Sequence, residues 1–359
     1  MAHMSPCTPA AVETSYRVQI AEIDRDRGNV LRLCKTSALQ SSPEKYHWNY
    51  EMNPLGHAWC ALVIEPIHEQ VVGTTALFPR RLLLDGVSLQ AAVAGDFAVE
   101  PEHRTLYPAM ALQTAAIATC RDGMFDVVYG FPNDAARPVQ LRAGYHSVGQ
   151  ACAGVRLLRT GAAFRQRGRR LWNLGASIFN STITFVSKAA RSKTSIVYNY
   201  VSLSRFDDRF DRFWQRSLLE HRIIVQRDSR YANWRFMECP MRKYSLFAAQ
   251  HETTGEIGGY LVWSPSQDGK IHISDLMADD DVFDNLLTAF IREQQGHDAY
   301  CITIVYFGDN KLIRKLHRLG FIFRSTRSEV LLSVNPALPK PERLFDSDNW
   351  YLLDGDSDS

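Results

Sequence analysis

Asp96-Phe97-Ala98-Val99-Glu100-Pro101-Glu102-His103-Arg104-Thr105-Leu106-Tyr107-Pro108-Ala109 sits inside the run whose reading decides the fold, Gly95 to Tyr145. Val93–Val99 is an apolar strand that Pro101 ends. Pro108 suits a first helical turn, and Ala109–Cys120, with Met110, Leu112 and Gln113, is made of good helix formers. Phe125–Tyr129 is a short strand. Tyr129-Gly130-Phe131-Pro132-Asn133 leads into a helix that ends at Gly144-Tyr145. A strand end turning into a helix start presents unpaired N–H groups and the positive end of the helix dipole. A pyrophosphate fits such a turn, and Arg104 adds a charge for it. As a bare pattern, the same turn also serves structure alone.

The chain around this run has 359 residues, 45% of them hydrophobic, enough for two cores of ordinary domain size. A net charge of only +2 excludes a nucleic-acid-binding polycation, so no DNA partner is expected. The charge is uneven, however. Ala135 to Phe206 contains no Asp or Glu, while Arg and Lys recur. That face reads either as a solvated linker or as a surface for a phosphate, a nucleotide or an anionic membrane. Seven cysteines without a CxxC or paired spacing give neither a zinc site nor a disulfide framework, and no metal is expected. No run of about eighteen apolar residues predicts a membrane span, and no signal peptide is predicted. A reducing, cytoplasmic setting follows. Met1-Ala2-His3-Met4 reads as an added leader.

Organisation follows from periodicity. Residues 1–13 are expected to be a tag and a disordered start. Residues 14–160 alternate strands and helices: Ala58–Ile64, Val71–Phe78, a hairpin of Arg80–Leu84 and Val87–Ala92 about Asp85-Gly86, then the run above. Residues 161–195 form a basic, amphipathic connector, and its 165–193 stretch suits an anionic membrane surface or packing between modules. Residues 196–335 repeat the order, with strands at Ser245–Gln250, Gly258–Ser264, Lys270–Met277 and Tyr300–Phe307. The helices of this half fall at Val282–Gln294 and Asn310–Leu319, before Gly320-Phe321. Two copies of one fold are inferred. The acidic tail, 336–359, is expected to fray despite Trp350-Tyr351-Leu352-Leu353.

Val99-x-Pro101-x-x-Arg104 with Ala109 resembles the acetyl-CoA-binding motif of the GNAT superfamily of N-acetyltransferases. That motif runs Arg or Gln, two residues, Gly, one residue, Gly or Ala. Asn133, Ala136 and Gly144-Tyr145 resemble the family's Asn-x-x-Ala…Gly-Phe segment. The resemblance implies an α/β (α+β) fold of two tandem GNAT-like modules, each a mixed central sheet flanked by helices. It implies acetyl-CoA or another acyl-CoA as co-substrate. Arg104, Thr105, Leu106, Tyr107 and Ala109 would then line the pyrophosphate, Phe97, Ala98 and Val99 the pantetheine, and Asn133 the CoA arm. Two positions depart from the family. Tyr107 replaces its first Gly, before a Pro108 that has no N–H. Gln140 stands where a Tyr usually protonates the leaving thiolate, so Tyr129 and Tyr145 are the hydroxyls to consider, with Tyr145 the catalytic candidate.

Asp96 is the candidate general base, because a carboxyl inside an apolar strand is expected to have a raised pKa. It reads equally well as a structural Asp bonded to backbone amides. Trp48, Tyr50, Asn53 and His57 lie in an aromatic, polar segment that suits stacking on a sugar or small amine, or a helix core. Arg227-Asp228…Tyr231…Trp234-Arg235-Phe236 resembles a segment of two-module GNAT-like proteins of bacterial polysaccharide biosynthesis. On that resemblance Asp228, Trp234 and Arg235 join the acceptor site. No Arg-x-x-Gly-x-Ala follows the Asp275 strand, so the second module is expected to lack CoA.

The reading is a cytoplasmic N-acyltransferase that moves an acetyl or short acyl group to a small-molecule or sugar amine. The acceptor is expected to be an amino sugar in bacterial glycan synthesis. Peripheral contact with the inner membrane through residues 165–193 and a homodimer are left open. Three alternatives stay open: a Fem-type aminoacyl transferase using charged tRNA, an acyl-carrier-protein-dependent acyltransferase, and a non-catalytic scaffold of a polysaccharide complex.

Overall fold

The long apolar stretches become the strands of one mixed sheet. The computed structural model describes residues 16–37, 39, 41–159, 198–266, 268–296 and 299–358. The expected leader and the basic connector lie outside the described residues.

In the first half β1 (Arg17–Ile20), β2 (Trp59–Ile64), β3 (Val71–Leu84), β4 (Val87–Val99) and β5 (Val127–Gly130) lie side by side. Helices α1 (Arg27–Thr36), α2 (Pro43–Tyr46), α3 (Leu106–Arg121) and α4 (Ala136–Ala143) accompany them. In the second half β7 (Tyr198–Leu203), β9 (Ser245–His251), β10 (Ile257–Pro265), β11 (Lys270–Ala278) and β12 (Cys301–Gly308) repeat the order. Their helices are α5 (Asp208–Ser217), α6 (Ser229–Ala232), α7 (Phe283–Gln295) and α8 (Asn310–Arg318).

Two sequence segments fuse where two strands were expected. Val71–Phe78 and Arg80–Leu84 are one strand, β3, and Val87–Ala92 and Val93–Val99 are one strand, β4. β3 is buried along nearly its whole length, so Pro79 does not interrupt it. The turn between them is Asp85-Gly86, at φ 48° and 80°, the left-handed pair that a two-residue hairpin needs.

The halves exchange their last strands. β6 (His146–Leu157) pairs with β12 of the second half, and β13 (Ile322–Val334) pairs with β5 of the first. The two exchanged strands pair with each other.

The acidic tail corrects the expectation that it frays. Trp350–Leu353 forms β14, antiparallel to β12 and parallel to β8 (Ile223–Val225), and β8 pairs with β3. The strands therefore close a ring, β3-β4-β5-β13-β6-β12-β14-β8, which leaves no free edge at the junction. The reason is chemical. Trp350, Leu352 and Leu353 are buried, and the carboxylates behind them meet buried cations. Arg227 Nε donates to Asp275 Oδ1 at 3.0 Å and its Nη2 to Asp356 Oδ2 at 2.7 Å. Arg235 Nε donates to the Gly355 carbonyl at 2.8 Å, and His272 Nε2 lies 3.1 Å from Asp354. Gly355 is required, because a Cβ there would stand 2.7 Å from the Phe236 ring and 2.9 Å from the Ser274 carbonyl.

A pseudo-dyad runs between the halves. α2 and α6 each continue into a π turn, His47–Glu51 and Asn233–Met237. Trp48 and Trp234 stack across the axis with centroids 4.9 Å apart. Each indole N–H donates to the other's backbone carbonyl, at 2.8 and 3.0 Å. Among the described residues no helix is long and apolar enough to cross a membrane.

Candidate active site

The site begins with a break in β4. Its pairing with β5 stops at Ala94 and Gly130. Against β3 the register slips, with Thr74 opposite Ala98 and Ala76 opposite Gly95, so β4 carries one extra residue. Asp96 absorbs the bulge at φ 43°, a conformation that Asp tolerates better than most residues. Beyond the bulge the two strands diverge and a groove of about 520 Å³ opens.

Phe97, Ala98 and Val99 form one wall of that groove. Arg104, Thr105, Leu106 and Ala109 form its floor at the start of α3, and Asn133, Ala135, Ala136 and Val139 form the opposite wall. Thr105 gives α3 no side-chain cap, so its first-turn N–H groups are left for a ligand at this end. Arg104 Nε is fixed on the Val99 carbonyl at 3.0 Å. Asn133 Oδ1 accepts from the amides of Ala135 and Ala136 and starts α4. Tyr107 does not line the groove. Its ring turns toward Tyr16, centroids 6.0 Å apart, so it leaves the floor clear. Ser37, Leu39, Ala135 and Val139 are wall residues that the motif reading did not include.

Asp96 is buried but does not stand in the apolar surroundings the sequence suggested. Lys45 Nζ lies 3.0 Å from its Oδ1, and the Tyr50 hydroxyl donates to Oδ2 at 3.0 Å. Burial works against the Lys45 ammonium, but Asp96 overrides it and holds the lysine above its ordinary pKa. The second half has the same dress at its own β11 irregularity. There Asp275 accepts from Arg227 and, at 2.9 Å, from the Tyr260 hydroxyl.

The tail brings a further carboxylate to this point. A Cβ on Gly95 would stand 2.4 Å from Asp358 Oδ2, so only glycine leaves room for it. Burial, with the Asp96 charge, raises the Asp358 carboxyl above its ordinary pKa, while Lys45 and Arg80 oppose the shift. Asp358 also lines a second cavity, of about 310 Å³, beside Phe131. Phe131 borders this cavity, and Asn133, two residues on in the chain, borders the groove. Lys45 and Asp358 were not singled out from the sequence. The usable signal was the Trp350–Leu353 patch followed by alternating Asp, a strand delivering carboxylates.

The other expected site residues are placed differently. Tyr145 is buried among Leu77, Ala116 and Cys120, away from both spaces, with no partner for its hydroxyl among the described residues. Tyr129 donates its hydroxyl to the Asp356 carbonyl at 2.9 Å. Trp48 and Trp234 are spent on the pseudo-dyad, and Tyr50 on Asp96. Asn53 Nδ2 donates to the Pro79 carbonyl at 3.0 Å. Asp228 caps α6 by accepting from Tyr231 N at 2.8 Å, and Arg235 holds the tail. His57 is exposed at a separate surface cavity.

The second half has a different cleft at the equivalent place. β11 leaves β12 after Ile273 and Ile304, and β14 takes the vacated edge, with Leu353, Leu352 and Tyr351 opposite Tyr306, Phe307 and Gly308. Asp279-Asp280-Asp281 precede α7 where Arg104-Thr105 precede α3, and Lys315 and Lys311 pair with Asp280 at 2.5 and 3.4 Å. About 180 Å³ of cleft remains there.

A doubled, strand-exchanged α/β arrangement with a groove at a bulged, splayed strand pair is the tandem GNAT fold. Residues 23–148 match the family model described as an acetyltransferase (GNAT) domain. Among solved structures it is similar to a probable N-acyltransferase of unknown function from Enterococcus faecalis V583. That likeness has 13% identity and TM-score 0.65, and covers 90% of this chain and 73% of the other. It is similar to a GCN5-related N-acetyltransferase from Anabaena variabilis, with 12% identity, TM-score 0.62, and 88% and 72% covered. A tandem GNAT protein from the clavulanic acid biosynthesis pathway aligns over 90% of this chain and all of its own length, with 14% identity and TM-score 0.54. Among curated protein sequences none matches the chain.

Proposed function

We propose that the protein transfers an acetyl or other short acyl group from CoA to an amine, with the co-substrate in the groove of the first half alone. The observation that carries this is the groove itself. Uncapped amides of α3, the splayed edge of Phe97–Val99 and the Asn133 turn converge on one space. The bound thioester supplies an activated acyl group. Arg104 and the α3 amides fit its pyrophosphate, and Phe97–Val99 its pantetheine arm. In the second half β14 lies where that arm would lie, and Asp280 already takes Lys311 and Lys315, the cations a phosphate would need.

The base in this proposal is Asp358 rather than Asp96. Asp96 and Asp275 are twins, each fixed by a cation and a tyrosine hydroxyl, and Asp275 sits in the half assigned no co-substrate. Asp96 is therefore read as a positioning residue, whereas Asp358 borders the cavity next to the groove. The acceptor ammonium gives one proton to Asp358, its freed nitrogen bonds to the acyl carbon as the C–S bond breaks, and the second proton goes to the departing CoA thiolate, which leaves as the free thiol. A carboxyl held above its ordinary pKa is a better proton acceptor. The sign follows: turnover falls as pH drops through a pKa above the usual carboxylate range. Asp358→Asn is expected to lower kcat about a hundredfold and to leave acetyl-CoA affinity unchanged. Full turnover in that variant, with Asp96→Asn inactive, would return the role to Asp96.

Trp48, Tyr50, Asn53 and Trp234, which suited stacking on a sugar or small amine, make their contacts within the fold. The acceptor is accordingly read from the cavity at Asp358.

A further inference from the structure

The cavity beside the acyl groove has a chemistry of its own. Phe131, Val305, Phe307 and Leu352 form its walls, and Asp354 and Asp358 supply its charge. Ser328 and Ser357 add hydroxyls, and among the described residues no Lys or Arg lines it. Its volume, about 310 Å³, is at the small end for a ligand site. Asp354 is held in place by His272 at 3.1 Å and Arg242 at 3.4 Å.

From these walls we infer that the acceptor is a small primary amine with an aromatic or branched aliphatic body and no phosphate. This inference rests on the acyl-transfer reading above. The apolar walls match the body by area burial. The carboxylates favour the ammonium form on entry and disfavour any anion, because like charges in a partly desolvated space repel strongly. A nucleotide-linked or phosphorylated amino sugar would bring its phosphates against the Asp354 and Asp358 carboxylates of the wall. A free sugar would leave most of its hydroxyls facing apolar side chains, at a cost for each unpaired group.

The test uses the full chain with acetyl-CoA and three acceptors: 2-phenylethylamine, glucosamine and uridine-diphosphate glucosamine. Thiol release gives kcat/KM, and calorimetry gives acetyl-CoA binding in the same preparation. The expected result is a kcat/KM for 2-phenylethylamine at least about tenfold above glucosamine, and no turnover of the nucleotide sugar. Ser328→Lys puts a cation at a partly exposed wall position. It should raise KM for the amine about tenfold and leave acetyl-CoA affinity unchanged. Equal or better use of either sugar overturns the inference, as does no turnover of 2-phenylethylamine while acetyl-CoA binds. Absence of acetyl-CoA binding is a different failure, that of the acyl-transfer reading itself.

Discussion

Arg227→Met tests why the tail is threaded through the molecule. Arg227 is the only cation whose ion pairs with Asp275 and Asp356 appear among the described residues. The side chains of all three are at most 5% exposed. At roughly 3 Å and an effective dielectric near 20, each contact is worth about 5 kcal/mol before desolvation is set against it. Methionine keeps the packing against Tyr351 but leaves two carboxylates buried without their cation. Removing one partner of a buried pair costs about 3–5 kcal/mol, and that is the expected loss near pH 7.5. The pH dependence has a definite sign. Burial, with the Asp275 charge, already holds Asp356 above its ordinary pKa, and Arg227 opposes the shift. Without the arginine the Asp356 carboxyl takes a proton more readily, so the deficit shrinks as pH falls toward 5. Urea unfolding at pH 7.5 and pH 5.5 measures it, and adding Asp356→Asn should restore part of the loss. A loss below about 1 kcal/mol that does not change with pH would show that Arg227 does not hold the tail in place.

Two other predictions concern the groove and the pseudo-dyad. Ala109→Glu places a negative charge at the phosphate end of the groove and should weaken acetyl-CoA binding about tenfold or more without unfolding the protein, as calorimetry and thermal melting will show. Trp48→Phe leaves the Trp234 carbonyl buried without its donor and should cost about 1–3 kcal/mol in urea unfolding, and Trp234→Phe should cost the same because the contact is reciprocal.

The sequence carried the repeat and the groove because both are local. The Asp85-Gly86 turn, the Arg104–Ala109 turn and the Asn133 start are each written within a few residues. What was not legible depends on pairings between distant segments. Nothing in β6 or β13 says that each will join the other half's sheet. Trp48 and Trp234 looked like acceptor-site aromatics because their spacing within each half suits a binding surface, and only the pseudo-dyad gives them each other as partners. The tail misled most. Its Asp content reads as solvated, but Arg227 and His272, far away in the chain, turn those carboxylates inward, and Arg235 holds the backbone between them. Lys45 was hidden for the same reason, since its partner Asp96 lies on another element.

The central claim is that one half holds an acyl-CoA and the other has given that place to the protein's own strand. Calorimetric titration of the full chain with acetyl-CoA reads it directly through the stoichiometry. The account predicts one site per chain, lost in Ala109→Glu. Two sites would show that the second cleft is open despite β14 and Asp280, and none would remove the groove from acyl-CoA binding.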